Sequence, residues 1–378
     1  MTGIYIHIPF CKQACSYCDF YFVTRTRQKA EFVETLTKEI AASNKGGPFD
    51  RNISTIYFGG GTPSLLSIDE VDRILSSIQE NFDVSGLQEV TFEMNPDDVN
   101  AEYLRGLSRN GITRVSMGVQ TFNTERLKFM NRAHSREEAL KSLELLHNSP
   151  LDSFNVDLIY GNPAQTVEDL EEDVSTLLKF DPPHVSAYAL TIEPRTRLGF
   201  MNKKGILKAA DDDMVAMHID YLLEKLATSN IHRYEVSNYA RPGHEAMHNS
   251  AYWGHINYIG YGPAAHSFLW KDDASHAFRW KNTANLKAYL SNECKTDENS
   301  VEKLTLGNLA EERLMMGLRT RDGISINQLK DQYEYRFSEM QKKYLQKVSK
   351  EGYVTVDKSL RVTDKGLKIA DTIITSLL

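Results

Sequence analysis

Three of the four cysteines of this 378-residue chain fall within eight positions: Cys11, Cys15 and Cys18. They follow an alternating, β-branched segment, Gly3–Ile8, in the stretch Pro9-Phe-Cys11-Lys-Gln-Ala-Cys15-Ser-Tyr-Cys18-Asp-Phe20. Thiolates are ligands for zinc and for iron–sulfur clusters. A structural zinc site wants a fourth Cys or His at matching spacing, and none follows nearby; His7 lies on the preceding strand. Thiolates spaced C-x3-C-x2-C suit a [4Fe–4S] cube, holding three irons and leaving the fourth without a protein ligand. An open iron can chelate the amino and carboxylate groups of the methionine part of S-adenosylmethionine (SAM). One-electron reduction then cleaves the sulfonium and yields a 5′-deoxyadenosyl radical, chemistry carried by the cofactor. Cys294, set among Asn, Lys, Thr and Asp, reads as a bystander thiol.

Further polar residues stand where such a cofactor would need them. Gly59-Gly60-Gly61-Thr62-Pro63 follows a second β-rich segment, Ser54–Phe58. Glycines let the backbone approach a ligand closely, although alone such a run is as often a plain tight turn. Downstream of the cysteines it reads as the element that holds the SAM amino group. Glu93, Gln120, Arg132 and Asp157 fall near successive strand ends. Each alone is more often a solvated or capping residue. Together on one rim they could bind ribose hydroxyls, an amino group and a carboxylate, the last paired bidentately by Arg132. His248-Asn-Ser-Ala-Tyr252-Trp253 has two readings. It is a loop closing the barrel, with aromatics burying area, or it meets a flat apolar ligand with His248 or Tyr252 near a metal. His134, His184, His218, His232 and His276 have no supporting context and read as ordinary.

These residues need a scaffold, and the pattern supplies one. Strands are predicted at 3–8, 54–58, 89–94, 113–117, 153–160 and 184–191. Helices are predicted at 28–42, 69–80, 101–109, 124–130, 135–146 and 167–180. Strand–helix alternation argues for a parallel sheet with helices outside. The chemical residues fall at the C-terminal strand ends, the rim on which parallel α/β folds build their sites. The expected fold is a partial (β/α)6 barrel over residues 1–205. A barrel-covering α/β extension over 206–300 begins with an amphipathic helix at 211–228. Helices at 310–318, 326–333 and 338–351 and short strands at 352–356 and 360–363 make residues 301–378 winged-helix-like.

Composition sets further bounds. A 41% hydrophobic and 25% charged chain is that of a globular protein. No apolar run is long enough for a transmembrane helix, and the N-terminus lacks the regions of a signal peptide; a cytoplasmic location is expected. Residues 301–378 carry 14 Lys+Arg and 11 Asp+Glu, a net +3 that does not by itself predict nucleic-acid binding.

Six motifs together resemble the oxygen-independent coproporphyrinogen III oxidase (HemN-like) family of radical SAM enzymes. They are Tyr5-Ile-His-Ile-Pro-Phe-Cys11-x3-Cys15-x-Tyr17-Cys18-Asp-Phe20, Phe58-Gly-Gly-Gly-Thr-Pro63, Phe92-Glu-Met-Asn-Pro96, Gly118-Val-Gln-Thr-Phe122, Asn131-Arg-Ala-His134 and Asn155-Val-Asp-Leu-Ile-Tyr-Gly161. The resemblance implies that Cys11, Cys15 and Cys18 hold the cluster. It also implies that Tyr5, Tyr17, Gly60, Gly61, Thr62, Glu93, Gln120, Arg132 and Asp157 contact SAM, some of them a second SAM if one binds. Two departures stand out. The oxidase has a further cysteine where this chain has Phe20, and a long arm where four residues precede Tyr5. Both point to the heme-chaperone branch, which binds heme and delivers it to acceptor hemoproteins and shares the C-x3-C-x2-C-x-F and H-N-x-x-Y-W patterns. That branch adds heme to the cofactors, with His248 and Tyr252 beside it. The expected partners are heme, acceptor hemoproteins, a reductant such as flavodoxin or ferredoxin, a second copy of the chain and a transient membrane-surface contact. The alternative is an enzyme, a coproporphyrinogen III dehydrogenase converting propionates to vinyl groups.

Overall fold

The computed structural model describes residues 2–43, 51–291 and 296–378, so Cys294 and its assignment lie outside the described residues. The first strand, β1 (Thr2–Ile8), is buried on both faces, with Ile4, Ile6 and Ile8 inaccessible. Such two-faced burial marks a strand inside a parallel sheet. β2 (Ile53–Gly60), β3 (Glu89–Met94), β4 (Arg114–Gln120), β5 (Ser153–Tyr160) and β6 (His184–Ala189) follow it in chain order, each parallel to its predecessor. Between them run α1 (Lys29–Ser43), α2 (Ile68–Asn81), α3 (Ala101–Arg109), α4 (Thr124–Phe129), α5 (Arg136–His147) and α6 (Val167–Leu178). Sequence sets where these helices start. Ser67/Glu70, Ser135/Glu138 and Thr166/Asp169 form reciprocal capping boxes at α2, α5 and α6. The result is the expected six-stranded partial barrel with helices outside.

Strand 4 runs three residues past its expected end. A bulge between Gly118 and Gln120 carries it on and leaves Gln120 in the left-handed region at φ 70°. Bulges re-aim a side chain, here toward the rim. Strand 6 stops at Ala189 rather than Thr191.

The extension does not form a separate cover over its whole length. After α7 (Arg197–Lys203) and α8 (Asp212–Ala227), the strands β7 (His232–Arg233) and β8 (Asn238–Ala240) join the sheet beside β6. α9 (Met247–Trp253) follows. Then β9 (Asn257–Tyr261), β10 (His266–Trp270) and β11 (His276–Lys281) add to the opposite edge beside β1. α10 (Leu286–Leu290) and β12 (Glu302–Thr305) complete a twelve-stranded sheet in the order β12-β11-β10-β9-β1-β2-β3-β4-β5-β6-β8-β7. Strand pairing thus continues across residues 205 and 300.

The C-terminal part has its own core around Leu314, Ile324, Leu345 and Leu360. Its helices are α11 (Leu306–Gly317), α12 (Ile326–Gln332), α13 (Glu339–Lys350), α14 (Asp364–Leu367) and α15 (Ala370–Thr375), the last two beyond the helices expected from sequence. β13 (Ile324–Ser325), β14 (Val354–Val356) and β15 (Ser359–Val362) form a small antiparallel sheet. α11 starts four residues earlier than expected because Thr305 and Asn308 make a capping box. A third cluster, including Phe268, Leu304, Leu309 and Tyr333, joins this part to the extended sheet. Among the described residues no helix is long and apolar enough to cross a membrane.

Candidate functional site

The cysteine loop is tied to the rim from three directions. Ser16 N–H donates to Met130 O at 2.9 Å, and Asn131 Nδ2 donates to Ala14 O at 2.7 Å. Lys12 pairs with Asp97 at 2.6 Å. On the far side Leu198 N–H of α7 donates to Ser16 O at 3.0 Å, and Arg195 pairs with Asp19. A cavity of about 610 Å³ opens at the C-terminal strand ends. Cys11, Cys15, Cys18, Tyr17, Gly60, Gly61, Thr62, Glu93, Gln120, Arg132 and Asp157 all line it. The barrel therefore brings together residues up to 146 positions apart in the chain.

The donor set fits an iron–sulfur cluster. Thr62 Oγ1 stands 3.5 Å from Cys11 Sγ and Arg132 Nη1 3.4 Å from Cys15 Sγ, both placed to donate to sulfur. Such hydrogen bonds to sulfur tune a cluster. Among the described residues no three Cys, His, Asp or Glu side chains converge on a single ion. The three thiols line one cavity. Burial raises the Cys11 thiol and pushes Cys18 up to about 11, so metal must displace protons on binding.

Arg132 anchors the site. Its Nη2 donates to Asn95 Oδ1 and to Gly118 O, each at 2.7 Å, while Nη1 reaches Tyr17 Oη at 3.5 Å. Burial opposes its charge, but Tyr17 and Cys15 outweigh that and hold it protonated. Its Nε is buried without a partner, a donor left over inside the site. Two half-buried carboxylates share the cavity with it. Glu93 accepts from Tyr57 Oη at 2.7 Å and Gly60 N–H at 3.2 Å. Burial pushes Glu93 up to about 7, and neighbouring Asp157 adds to the rise. Asp157 is raised too, again by burial. It is oriented by Asn155 Nδ2 at 2.6 Å, and Asn155 is held by His184 at 2.5 Å. Two desolvated carboxylates facing one cavity favour a cationic ligand, and SAM carries both a sulfonium and an ammonium group.

The glycine run lines the cavity while two of its N–H groups turn to the protein. The N–H of Gly60 goes to Glu93 and that of Gly61 to Ile8 O at 2.8 Å. Gly60 is required by packing: at φ 104°, a Cβ there would stand 2.5 Å from the His7 ring.

Tyr5, His248 and Tyr252 lie away from this cavity. Tyr5 stacks on Tyr57 at 6.1 Å and contacts His7 Nδ1 at 3.2 Å, so it backs the site instead of lining it. α9 plugs the other end of the barrel. Glu89, at the start of β3, accepts from Met247 N–H and His248 N–H at 2.9 and 3.0 Å and caps the helix. His248 is 1% exposed. Its Nδ1 meets Thr55 Oγ1 and its Nε2 meets Tyr252 Oη, both at 2.8 Å. Both ring nitrogens are engaged by hydroxyls, and in this arrangement the motif packs as a closing element. His248→Ala should lose about 3 kcal/mol of stability from the cavity and two orphaned hydroxyls, measured by urea unfolding. A selective loss of heme affinity at unchanged stability would contradict this placement.

Sequence reading passed over Asn95, Tyr57 and Tyr188. Asn95 lay inside the Phe92–Pro96 motif and is the partner of Arg132. Tyr188 lines the cavity from the end of β6, where no local motif points to a ligand.

Comparison with known proteins agrees with this geometry. Residues 5–177 match the radical SAM superfamily and residues 304–369 the HemN C-terminal domain. The chain is 32% identical over 374 residues to the heme chaperone HemW of Lactococcus lactis, covering 98% of this chain and 96% of that protein. It is 36% identical to the Escherichia coli heme chaperone HemW over 269 residues, 70% of this chain and 69% of that one. The fold superposes on coproporphyrinogen III oxidase (HemN) from Escherichia coli with a TM-score of 0.81 at 23% identity, covering 100% of this chain and 89% of the other. The chain belongs to the HemW family, within the radical SAM superfamily.

Proposed function

We propose that this protein is a heme chaperone, which binds heme and delivers it to acceptor hemoproteins. The observation that carries this reading is similarity along almost the whole chain to relatives named heme chaperones. Phe20 supports it. The side chain is 72% exposed beside the cluster cavity, at the position where the oxidase carries a further cysteine.

In this reading Cys11, Cys15 and Cys18 hold a [4Fe–4S] cluster. Thr62, Glu93, Gln120, Arg132 and Asp157, with Tyr17 and the carbonyls of Gly60 and Gly61, receive SAM. When bound, the pair supplies one-electron chemistry at an open iron. Arg132 and Thr62 hold the sulfurs in place, and Glu93 and Asp157 take the cationic end of the ligand. A cytoplasmic flavodoxin or ferredoxin would meet the cysteine loop, where Lys12 and Phe20 are exposed. A second copy of the chain and a transient membrane-surface contact complete the proposed partners. The working division of the chain is barrel 1–205, extension 206–300 and C-terminal domain 301–378.

Anaerobic titration of the reconstituted protein with heme should give a saturable complex with a shifted Soret band. No stable complex would sink the reading. Incubating the same sample with coproporphyrinogen III, SAM and a reductant should yield no protoporphyrinogen; its formation would favour the dehydrogenase.

A further inference from the structure

Thr62, in the loop after β2, and Arg132, in the loop after α4, each point a donor at a sulfur of the cysteine loop. Thr62 Oγ1 stands 3.5 Å from Cys11 Sγ and Arg132 Nη1 3.4 Å from Cys15 Sγ. One side chain joins the two donors. Asn95, directly after β3, accepts from Arg132 Nη2 through Oδ1 at 2.7 Å and donates through Nδ2 to Thr62 Oγ1 at 3.3 Å. It lines the cluster cavity and opens the short helical turn Pro96–Asp98. Asparagine at such a start ordinarily caps the turn with its side chain, but here it makes no cap hydrogen bond. Its side chain is spent on Arg132 and Thr62, and its backbone N–H goes to Ser64 Oγ at 3.3 Å.

We infer that Asn95 is a positioning residue, which aims the hydrogen bonds of Thr62 and Arg132 at the cluster sulfurs and so raises the reduction potential of the cluster. The inference rests on the reading of Cys11, Cys15 and Cys18 as cluster ligands and deepens it. A guanidinium only donates, so the amide must present its oxygen to Arg132 and its NH2 group to Thr62. A hydroxyl has one hydrogen. With an oxygen lone pair of Thr62 taken by Asn95, that hydrogen is directed at Cys11 Sγ. The same amide fixes the guanidinium, whose other nitrogen then meets Cys15 Sγ. Gly118 O holds Nη2 as well, at 2.7 Å, but cannot reach Thr62 through it. Reduction adds negative charge to a cluster, and donors aimed at its sulfurs favour the reduced form. An amide is the one small group that accepts from the first donor while giving to the second. A carboxylate of the same size would still take Arg132, but it would also accept from Thr62 and turn the hydroxyl away from sulfur.

The test measures one-electron reduction of the reconstituted full chain, without SAM, by potentiometric titration followed by the EPR signal of the reduced cluster. Asn95→Asp should load iron and sulfide like the wild type. At a fixed applied potential its ratio of reduced to oxidised cluster should fall at least about tenfold, which is about 59 mV for one electron. Part of that fall comes from the added charge, and a double-mutant cycle separates it. In the Thr62→Val background the same substitution should change the ratio by no more than about threefold, because no hydroxyl is left to turn. Asn95→Ala adds no charge, should lower the ratio at least about threefold, and serves if the aspartate variant does not load. An unchanged potential in either loaded variant would overturn the inference and leave the cluster assignment standing. So would an equal effect of Asn95→Asp in the two backgrounds, since charge alone would then account for it. Failure of both variants to fold or to hold a cluster would also overturn it, because Asn95 would then be a structural residue. A wild type that loads no cluster would remove the cluster assignment itself, and the inference with it.

Discussion

Cys15→Ser, reconstituted anaerobically with iron and sulfide, is expected to lose the brown absorbance of the cluster and most of its bound iron. A serine hydroxyl is a hard, weakly acidic donor and does not replace a soft thiolate on iron. Two remaining thiolates cannot hold three corners of the cube. The loss should not come from unfolding. The cysteine loop keeps its ties through Ser16, Asn131 and Lys12. Arg132 keeps Asn95 and Gly118 O when the sulfur is gone. Stability should therefore change by no more than about 1 kcal/mol, read from urea unfolding of the cluster-free proteins. Cys294→Ser is the control and should keep the full spectrum. An unchanged spectrum in Cys15→Ser would mean that the cluster, if there is one, is held elsewhere.

The parts of this protein legible in its sequence are those whose signal is local. The barrel strands announce themselves because a strand buried on both faces must be apolar throughout, as Ile4-Tyr-Ile-His-Ile8 nearly is. Helix starts follow from capping boxes such as Ser67/Glu70. Three cysteines in eight residues carry their chemistry in their spacing. What was illegible depends on residues distant in the chain. His248 and Tyr252 look the same in sequence whether they plug a core or face a ligand. The decision comes from Thr55 on β2 and from Gly3, where a Cβ would stand 3.1 Å from the His248 ring. Nothing local around Gln120 signals the bulge that brings it to the cavity. The strands of the extension are short, and nothing local says which sheet edge each will join.

Glu93 links the chemistry of the site to a measurable pH dependence. Its carboxyl is raised to about 7 from an ordinary 4.5, by burial first and then by Asp157, although Tyr57 and Gly60 donate to it. The folded protein thus holds this proton more tightly than the unfolded chain. The native state carries no penalty below pH 4.5. As pH rises from 4.5 to 7 the unfolded chain releases the proton first, and stability falls by about 3 kcal/mol before levelling off. Glu93→Gln keeps the size of the protonated acid and cannot ionise. In the cluster-free, ligand-free protein it should match the wild type within about 1 kcal/mol at pH 5 and exceed it by about 3 kcal/mol at pH 8. Ligand binding should run the other way. The ionised carboxylate is what a cationic ligand pairs with, so SAM affinity of the reconstituted wild type should rise as pH passes 7. The Gln variant should bind SAM weakly and show little of that rise. Urea unfolding at the two pH values and SAM titration across them test both halves. A Gln variant no more stable than wild type at pH 8 would show that Glu93 is not held protonated by burial. A variant that is more stable yet binds SAM with the wild-type pH dependence would move the cation-binding role to Asp157. The same burial that weakens the empty protein at neutral pH makes the carboxylate a strong partner for a cation, so stability lost at the rim is recovered when the ligand binds.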